Sequence, residues 1–161
     1  MFDQTLCEAA FHCTAADCGV IIVDHGSRVQ RSNDLLLDVV EVFRRQSPFS
    51  TVEPAHMELA SPSIADAYQR CVNSGAKAII VVPFFLLPGR HWQNDIPRLS
   101  SEAAQQHPGI PHLVAAPLGP HHLIGQIMLS RITACLNQAS GQGTACELCV
   151  DHDHCAIHSG Q

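Results

Sequence analysis

The sequence is poor in positive charge: nine Lys and Arg stand against fifteen Asp and Glu, a formal net charge of −6 over 161 residues. Because phosphate contacts are supplied by clustered Lys and Arg, this balance argues against a broad nucleic-acid-binding face. Long apolar runs are also missing, and no segment approaches the roughly 20 residues of a membrane span. Neither a G-x-G-x-x-G nor a Walker-type sequence is present, which weakens a nucleotide-binding interpretation. We therefore expect no nucleic-acid, membrane or nucleotide partner.

The beginning of the chain lacks basic residues, since the first one is Arg28. The preceding segment therefore resembles neither an Arg-rich transit peptide nor a signal peptide with a basic start. Eight Cys without a visible secretory signal favour reduced thiols or metal ligands over a disulfide framework. We predict that residues 1–17 form a loose leader, and that Cys7, Cys13 and Cys18 are incidental thiols.

The residues that are present in number are apolar residues, Cys and His. The apolar fraction of 46% and the charged fraction of 15% are typical of a globular chain, and the length suits one domain. Eight Cys and eleven His in so short a chain indicate metal chemistry.

From residue 18 onward, β-branched apolar runs alternate with stretches of helical periodicity. The predicted strands are residues 18–24, 51–58, 76–87 and 112–118. The predicted helices are residues 32–45, 62–74, 92–106 and 121–137. Four strand–helix units in a row predict an α/β fold with three layers: a doubly wound, four-stranded parallel sheet covered by helices on both faces. We assign residues 18–137 to this domain and residues 138–161 to a flexible linker and a Cys/His-rich tail.

Two loops follow strand ends, where parallel sheets bind their ligands. "VDHGSR" follows the first strand and "LPGRHW" the third. A flavodoxin-like strand order of 2-1-3-4 would place these strands side by side, so that His25 and His91 face one crevice. Two imidazoles can hold a borderline divalent metal such as Fe, Co, Ni or Zn, and can accept protons near neutrality. The alternative is two loop histidines bonded to nearby backbone.

Glu58, at the end of the second strand, is a third candidate for this crevice. A carboxylate at a strand end is otherwise a solvated or helix-capping residue. His56 lies within the strand, and we interpret it as structural.

Four of the nine basic residues lie in or near the two loops: Arg28, Arg31, Arg90 and Arg98. Arg suits bidentate recognition of carboxylate or phosphate, so this placement favours a polyanionic small ligand. Surface Arg with ordinary salt partners is the competing explanation.

The tail contains Cys146-x2-Cys149-x5-Cys155, with Cys135 upstream. A C-x2-C pair bends the chain so that both thiolates reach one ion or cluster. Four thiolates suit an iron–sulfur cluster, whereas zinc could use the same four or exchange one for a tail His. A buried free Cys at 135 and an unstructured tail are the remaining alternatives.

The sequence resembles the short sirohydrochlorin chelatases, relatives of the class II ferrochelatases. The matching stretches are "GVIIVDHGSR", "VEPAHMELASPSI", "VVPFFLLPGRHWQNDIP" and "APLGPHHL", which cover most of residues 19–123 in the family's order. The tail, "CELCVDHDHC", resembles that of the plant and algal sirohydrochlorin ferrochelatases, whose C-terminal cysteines bind a [2Fe-2S] cluster.

The resemblance implies insertion of Fe²⁺ into sirohydrochlorin, a macrocycle with eight carboxylates, to give siroheme and two protons. It implies that His25 and His91 bind the metal and accept protons, with Glu58 as an acidic residue of the site. Contacts to substrate carboxylates are expected from Ser27, Arg28 and Arg90.

The resemblance further implies a [2Fe-2S] cluster on Cys135, Cys146, Cys149 and Cys155. A single domain of this size corresponds to half of the cleft of the longer class II chelatases, so we expect a homodimer. The resemblance also implies that the protein is located in the plastid stroma, although no transit peptide is visible. Otherwise we expect a soluble cytoplasmic protein. The alternatives are a cobaltochelatase of cobalamin synthesis and a non-catalytic protein that delivers metal through its tail.

Overall fold

Four strands form one all-parallel sheet in the computed structural model, which describes residues 2–3, 5–144 and 148–149. They are β1 (Cys18–Asp24), β2 (Thr51–His56), β3 (Ala78–Pro83) and β4 (His112–Val114). Their order is β2-β1-β3-β4. The predicted four-stranded parallel fold is confirmed, and β1 and β3 are neighbours as expected.

Five α-helices accompany these strands in the described part of the chain. They are α1 (Thr5–Phe11), α2 (Gln30–Gln46), α3 (Ile64–Asn73), α4 (Ile96–Gln105) and α5 (His122–Ala139). A 3-10 turn at Ala15–Asp17 precedes β1, and a π-helical turn at His91–Asp95 leads into α4. Among the described residues, no helix combines the length and apolar character needed to cross a membrane.

The sheet separates two apolar cores. On one face, Ile21 and Val23 of β1 pack with residues of α3 and α4 such as Tyr68 and Ile96. On the other face, the alternate β1 residues pack with α1 and α2. β1 is therefore buried on both faces, which explains why its sequence is almost continuously apolar. This helix–sheet–helix layering is the predicted doubly wound arrangement.

The segment before β1 differs from the loose leader expected over residues 1–17. Its helix α1 contributes to the second core, where Cys7 and Cys13 are 4% and 8% exposed. The Sγ atoms of Cys13 and Cys18 lie 3.6 Å apart. Seven residues are too few for a clear helical period, so this helix depends on tertiary burial that a local pattern does not show.

Several element ends also differ from the prediction, and two of the differences border the loops after β1 and β3. Helix α2 begins at Gln30 rather than at residue 32. In its first turn the Asn33 side chain accepts from the Ser27 N–H and donates to the Ser27 carbonyl, each at 2.9 Å. Strand β3 ends at Pro83 rather than at residue 87. The loop after β3 is correspondingly longer.

The chain divides into two compact units, Met1–Gly119 and Pro120–Gln161. The sheet lies in the first unit. Helix α5 lies in the second, whereas the sequence assigned it to a domain ending at residue 137. Within its unit, α5 exposes Leu123, Ile127, Met128, Leu129, Ile132 and Leu136.

Candidate functional site

Three strand ends bring the three predicted site residues together. His25 directly follows β1, Glu58 comes shortly after β2, and His91 opens the π-helical turn after β3. Because parallel neighbours end at the same edge of the sheet, residues far apart in sequence meet there.

The His25 and His91 rings are in contact, with centroids 5.2 Å apart and planes inclined at 70°. The Glu58 Oε1 atom lies 2.8 Å from His25 Nε2. The three side chains are 41%, 44% and 53% exposed for His25, His91 and Glu58, respectively. An ion or a substrate can therefore reach them from solvent.

Both nitrogens of the His25 ring face oxygen acceptors. Nδ1 lies 3.1 Å from the Gly26 carbonyl, and Nε2 faces the Glu58 carboxylate. A carbonyl and an ionised carboxylate cannot donate, so these contacts are hydrogen bonds only when each ring nitrogen carries a proton. A cation binding at Nε2 takes the place of one proton, and Glu58 is positioned to be its second ligand or the acceptor of that proton.

His91 is oriented by a carboxylate that the sequence analysis missed. Its Nδ1 lies 2.8 Å from Asp95 Oδ2, four residues further along the turn. A carboxylate on Nδ1 stabilises the tautomer in which Nε2 keeps its lone pair for a metal. The turn is fixed by Trp92, whose Nε1 donates to the Ala115 carbonyl at 3.1 Å. The His-x3-Asp spacing was a readable signal, since residues four apart meet on a helix.

A cavity of about 320 Å³ opens beside these groups. It is lined by Met57, Glu58, Arg90, His91, Asp95, Arg98 and Leu99. Two guanidinium groups therefore border it, and Arg98 also pairs with Glu102 at 2.7 Å. Cationic side chains at an open cavity suit a ligand with several carboxylates.

The other predicted substrate residues lie outside the cavity lining. Arg28 is exposed, and the Ser27 hydroxyl accepts from the Val29 N–H at 3.1 Å. Among the described residues, no three His, Cys, Asp or Glu side chains are arranged as a ready metal site. In the geometry shown, Glu58 covers His25 Nε2, so binding of an ion requires this pair to open.

The predicted cluster ligands are only partly described. Cys135 on α5 and Cys149 are each half-buried. Cys146 and Cys155 lie outside the described residues. The iron–sulfur cluster therefore stays a prediction.

Comparison with known proteins adds independent information. The sequence model of the CbiX family matches residues 19–135. The chain is 48% identical over 141 residues to "Sirohydrochlorin ferrochelatase, chloroplastic" of Arabidopsis thaliana, covering 88% of this chain and 63% of that protein. It is 40% identical over 88 residues to the sirohydrochlorin cobaltochelatase of Methanocaldococcus jannaschii, covering 55% and 62% of the two chains.

The fold has solved counterparts as well. One is the crystal structure of the sirohydrochlorin chelatase SirB from Bacillus subtilis subspecies spizizenii in complex with cobalt. It is 28% identical with a TM-score of 0.68, and the match covers 72% of this chain and 50% of SirB. The chain thus spans less than two thirds of the length of each of these relatives.

Proposed function

This chain belongs to the CbiX family, and from that premise we propose that it is a chelatase that inserts Fe²⁺ into sirohydrochlorin. The observation that carries the proposal is the convergence of His25 and His91, ring to ring at 5.2 Å, beside a cavity bordered by two Arg. The Arabidopsis relative carries this activity in its name. In the terms of enzyme classification, the protein is a lyase.

The proposed reaction exchanges one ion for two protons. Fe²⁺ enters the macrocycle as the two inner N–H protons leave, so no electron transfer or nucleotide is required. His25 and His91 hold the ion through ring nitrogens, and the Glu58 carboxylate on His25 accepts a proton as the pair opens. Asp95 keeps the His91 ring in the metal-binding tautomer.

The carboxylates of the substrate are recognised by Arg side chains at the same edge of the sheet. Arg90 and Arg98 border the cavity, and Arg28 lies in the loop after β1 together with Ser27. Because the chain is acidic overall, these Arg attract a polyanion locally rather than through net charge.

The test is metal insertion by the full chain without oxygen, followed through the absorption bands of siroheme. We expect His25→Ala and His91→Ala to lose most of the insertion rate. His12→Asn is a matched control, because His12 is exposed before β1 and has a positive φ that Asn tolerates. If both Ala variants insert iron as fast as the wild type, the proposed site is wrong. If removal of residues 138–161 abolishes insertion while both Ala variants remain active, metal delivery by the tail is favoured.

A cobaltochelatase is the second candidate, because the Methanocaldococcus jannaschii relative is named as one. Imidazole accepts Fe²⁺ and Co²⁺ alike, so the ligand set does not decide between them. An insertion assay with both ions in competition decides between them. An excess of siroheme supports the iron reaction, and an excess of the cobalt product contradicts it.

We also propose that the working form is a homodimer. A cavity of about 320 Å³ is at the small end of pockets for drug-sized ligands, and a macrocycle with eight carboxylates is larger. The match covers half of SirB. Large apolar side chains are exposed on the loops at this edge: Val29, Leu59, Leu86 and Leu87. A second copy would cover them together with the other face of the substrate.

Sedimentation and activity over a dilution series test this assembly. We expect the insertion rate per chain to fall as a dimer dissociates. A monomer with full activity at every dilution would exclude the dimer.

Finally, we propose that the tail binds a [2Fe-2S] cluster and that the protein acts in the plastid stroma. Four thiolates are a donor set that suits such a cluster, and the ligands would be Cys135, Cys146, Cys149 and Cys155. The cluster would supply electron-transfer capacity or structural cross-linking, and metal insertion does not need it. An anaerobic preparation with sulfide-to-iron absorption and acid-labile sulfide supports the cluster, whereas a colourless zinc protein refutes it. The plastid location is supported by the name of the Arabidopsis relative, and detection of the protein in the stromal fraction of chloroplasts tests it.

A further inference from the structure

The loops that carry His25 and Glu58 are joined by their backbones. The Met57 N–H donates to the Asp24 carbonyl at 2.8 Å, and the Glu58 N–H donates to the His25 carbonyl at 3.1 Å. Gly26 permits this approach, because it has a φ of +84° and a Cβ there would lie 2.0 Å from the Glu58 carbonyl oxygen. The contact between the His25 ring and the Glu58 carboxylate thus depends on how closely these two loops are held.

A side-chain pair between buried His56 and partly buried Asp24 also connects these two loops. The Asp24 Oδ1 atom lies 2.6 Å from Nδ1 of His56, and it also accepts the Gly26 N–H at 2.9 Å. The His56 side chain is 4% exposed, and its backbone N–H donates to the Pro62 carbonyl at 2.7 Å. One carboxylate oxygen therefore links the end of β2 to the residue that follows His25.

We propose that Asp24 and His56 are positioning residues for the metal site, acting through Gly26 to hold the His25 ring opposite Glu58. The proposal rests on the proposed function, because it takes His25 and Glu58 as the groups that meet the metal. Neither Asp24 nor His56 lines the cavity itself. They hold the His25 ring in place before the ion arrives. Residues that hydrogen-bond to metal ligands orient those ligands in the same way in other metal sites.

The alternative is that His56 is a core histidine whose only role is to satisfy its own polar atoms. The two roles predict different responses to conservative substitution. His56→Asn keeps a nitrogen donor close to the place of Nδ1, and Asp24→Asn keeps an oxygen that can accept both hydrogen bonds. His56→Leu and Asp24→Ala remove the link in each case.

The experiment is a titration of the full chain with Co²⁺ alone, followed by its visible absorption, which reports ligand number and geometry. We expect His56→Leu and Asp24→Ala to weaken Co²⁺ binding by about 10- to 100-fold and to change the band shape. The two Asn variants should recover most of the affinity and the wild-type spectrum.

Tyr68→Phe is the matched control. It loses a hydrogen bond of 3.1 Å from a buried hydroxyl to the Ile110 carbonyl, away from the site. It should lower the melting temperature and leave Co²⁺ binding unchanged.

Three results would overturn the proposal: wild-type Co²⁺ affinity in His56→Leu and Asp24→Ala, no recovery in either Asn variant, or no Co²⁺ binding by the wild type. If one of the disruptive variants does not fold, the other pair decides. Because the titration contains no sirohydrochlorin, a protein that binds Co²⁺ with the expected pattern but inserts no metal would refute the proposed function alone.

Discussion

Replacing Asp95 tests whether an oriented tautomer of His91 matters for metal binding. The Asp95 carboxylate lies 2.8 Å from His91 Nδ1, and a hydrogen bond to a charged group contributes about 1.5–3 kcal/mol. The two side chains are 26% and 44% exposed, so solvent screening reduces this to the lower end. A loss of about 1.4 kcal/mol corresponds to about tenfold in affinity. Asp95→Ala should therefore bind metal about tenfold more weakly.

Asp95→Asn separates the charge from the hydrogen bond. An amide oxygen still accepts from Nδ1, but a neutral acceptor is roughly half as strong as a charged one, so a loss of about threefold is expected. Co²⁺ titration measures the affinity, and insertion rates at varied metal concentration should show the effect in KM for metal more than in kcat. Glu41→Gln is the control, because it also removes a carboxylate from an exposed i,i+4 pair, with Arg45 on α2.

Two results would refute this reasoning. One is unchanged Co²⁺ binding in Asp95→Ala when His91→Ala has lost it. The other is an equal loss in the Glu41 control, which would mean that the chain responds to its total charge.

The remaining predictions concern the backbone at Gly26, the acid stability contributed by Asp17 and the reactivity of the Cys71 thiol. Gly26→Ala should lose at least about 1–2 kcal/mol of stability from the positive φ alone, together with Co²⁺ affinity, as measured by melting and titration. Hydrogen bonds from Thr14 and the ammonium of Lys77 lower the pKa of Asp17 from 3.8 to about 2, so its stabilisation is complete above about pH 4 and is lost as the pH falls towards 2. The melting temperature of Asp17→Asn should therefore approach that of the wild type between pH 6 and pH 3; a constant gap would contradict this. Burial raises the pKa of Cys71 to about 12, so mass spectrometry should find it unalkylated by iodoacetamide at pH 9 until the chain is denatured.

The sheet and the meeting of His25 with His91 could be predicted because both follow from patterns that are local in sequence. A continuous apolar run such as that of β1 indicates a central strand, and alternation of strands with helices indicates a parallel sheet. Adjacency of β1 and β3 then places the residues after them at one edge.

The side chains that orient the site could not be predicted in the same way, because their partners are selected by three-dimensional proximity. Helix α2 was predicted to begin at residue 32 but begins at Gln30, and its Asn33 side chain bonds the Ser27 backbone because the loop after β1 turns back over the first turn of the helix. His56 was interpreted as structural, and its burial agrees, yet its partner Asp24 is 32 residues away. Spacing alone cannot identify such a pair.

Under the proposed function, the arrangement suits a site that binds a metal ion and then releases it. A structural zinc site surrounds its ion with four ligands and keeps it. Here the candidate ligands are two imidazoles and one carboxylate, which follow strand ends and are each between 41% and 53% exposed. The carboxylate of Glu58 already pairs with His25, so it competes with the ion for the same ring nitrogen. In the proposed reaction, few ligands, one of which already pairs with another, would hold the ion loosely enough for a macrocycle with four nitrogens to take it. Tight binding would oppose this transfer, and the open geometry avoids it.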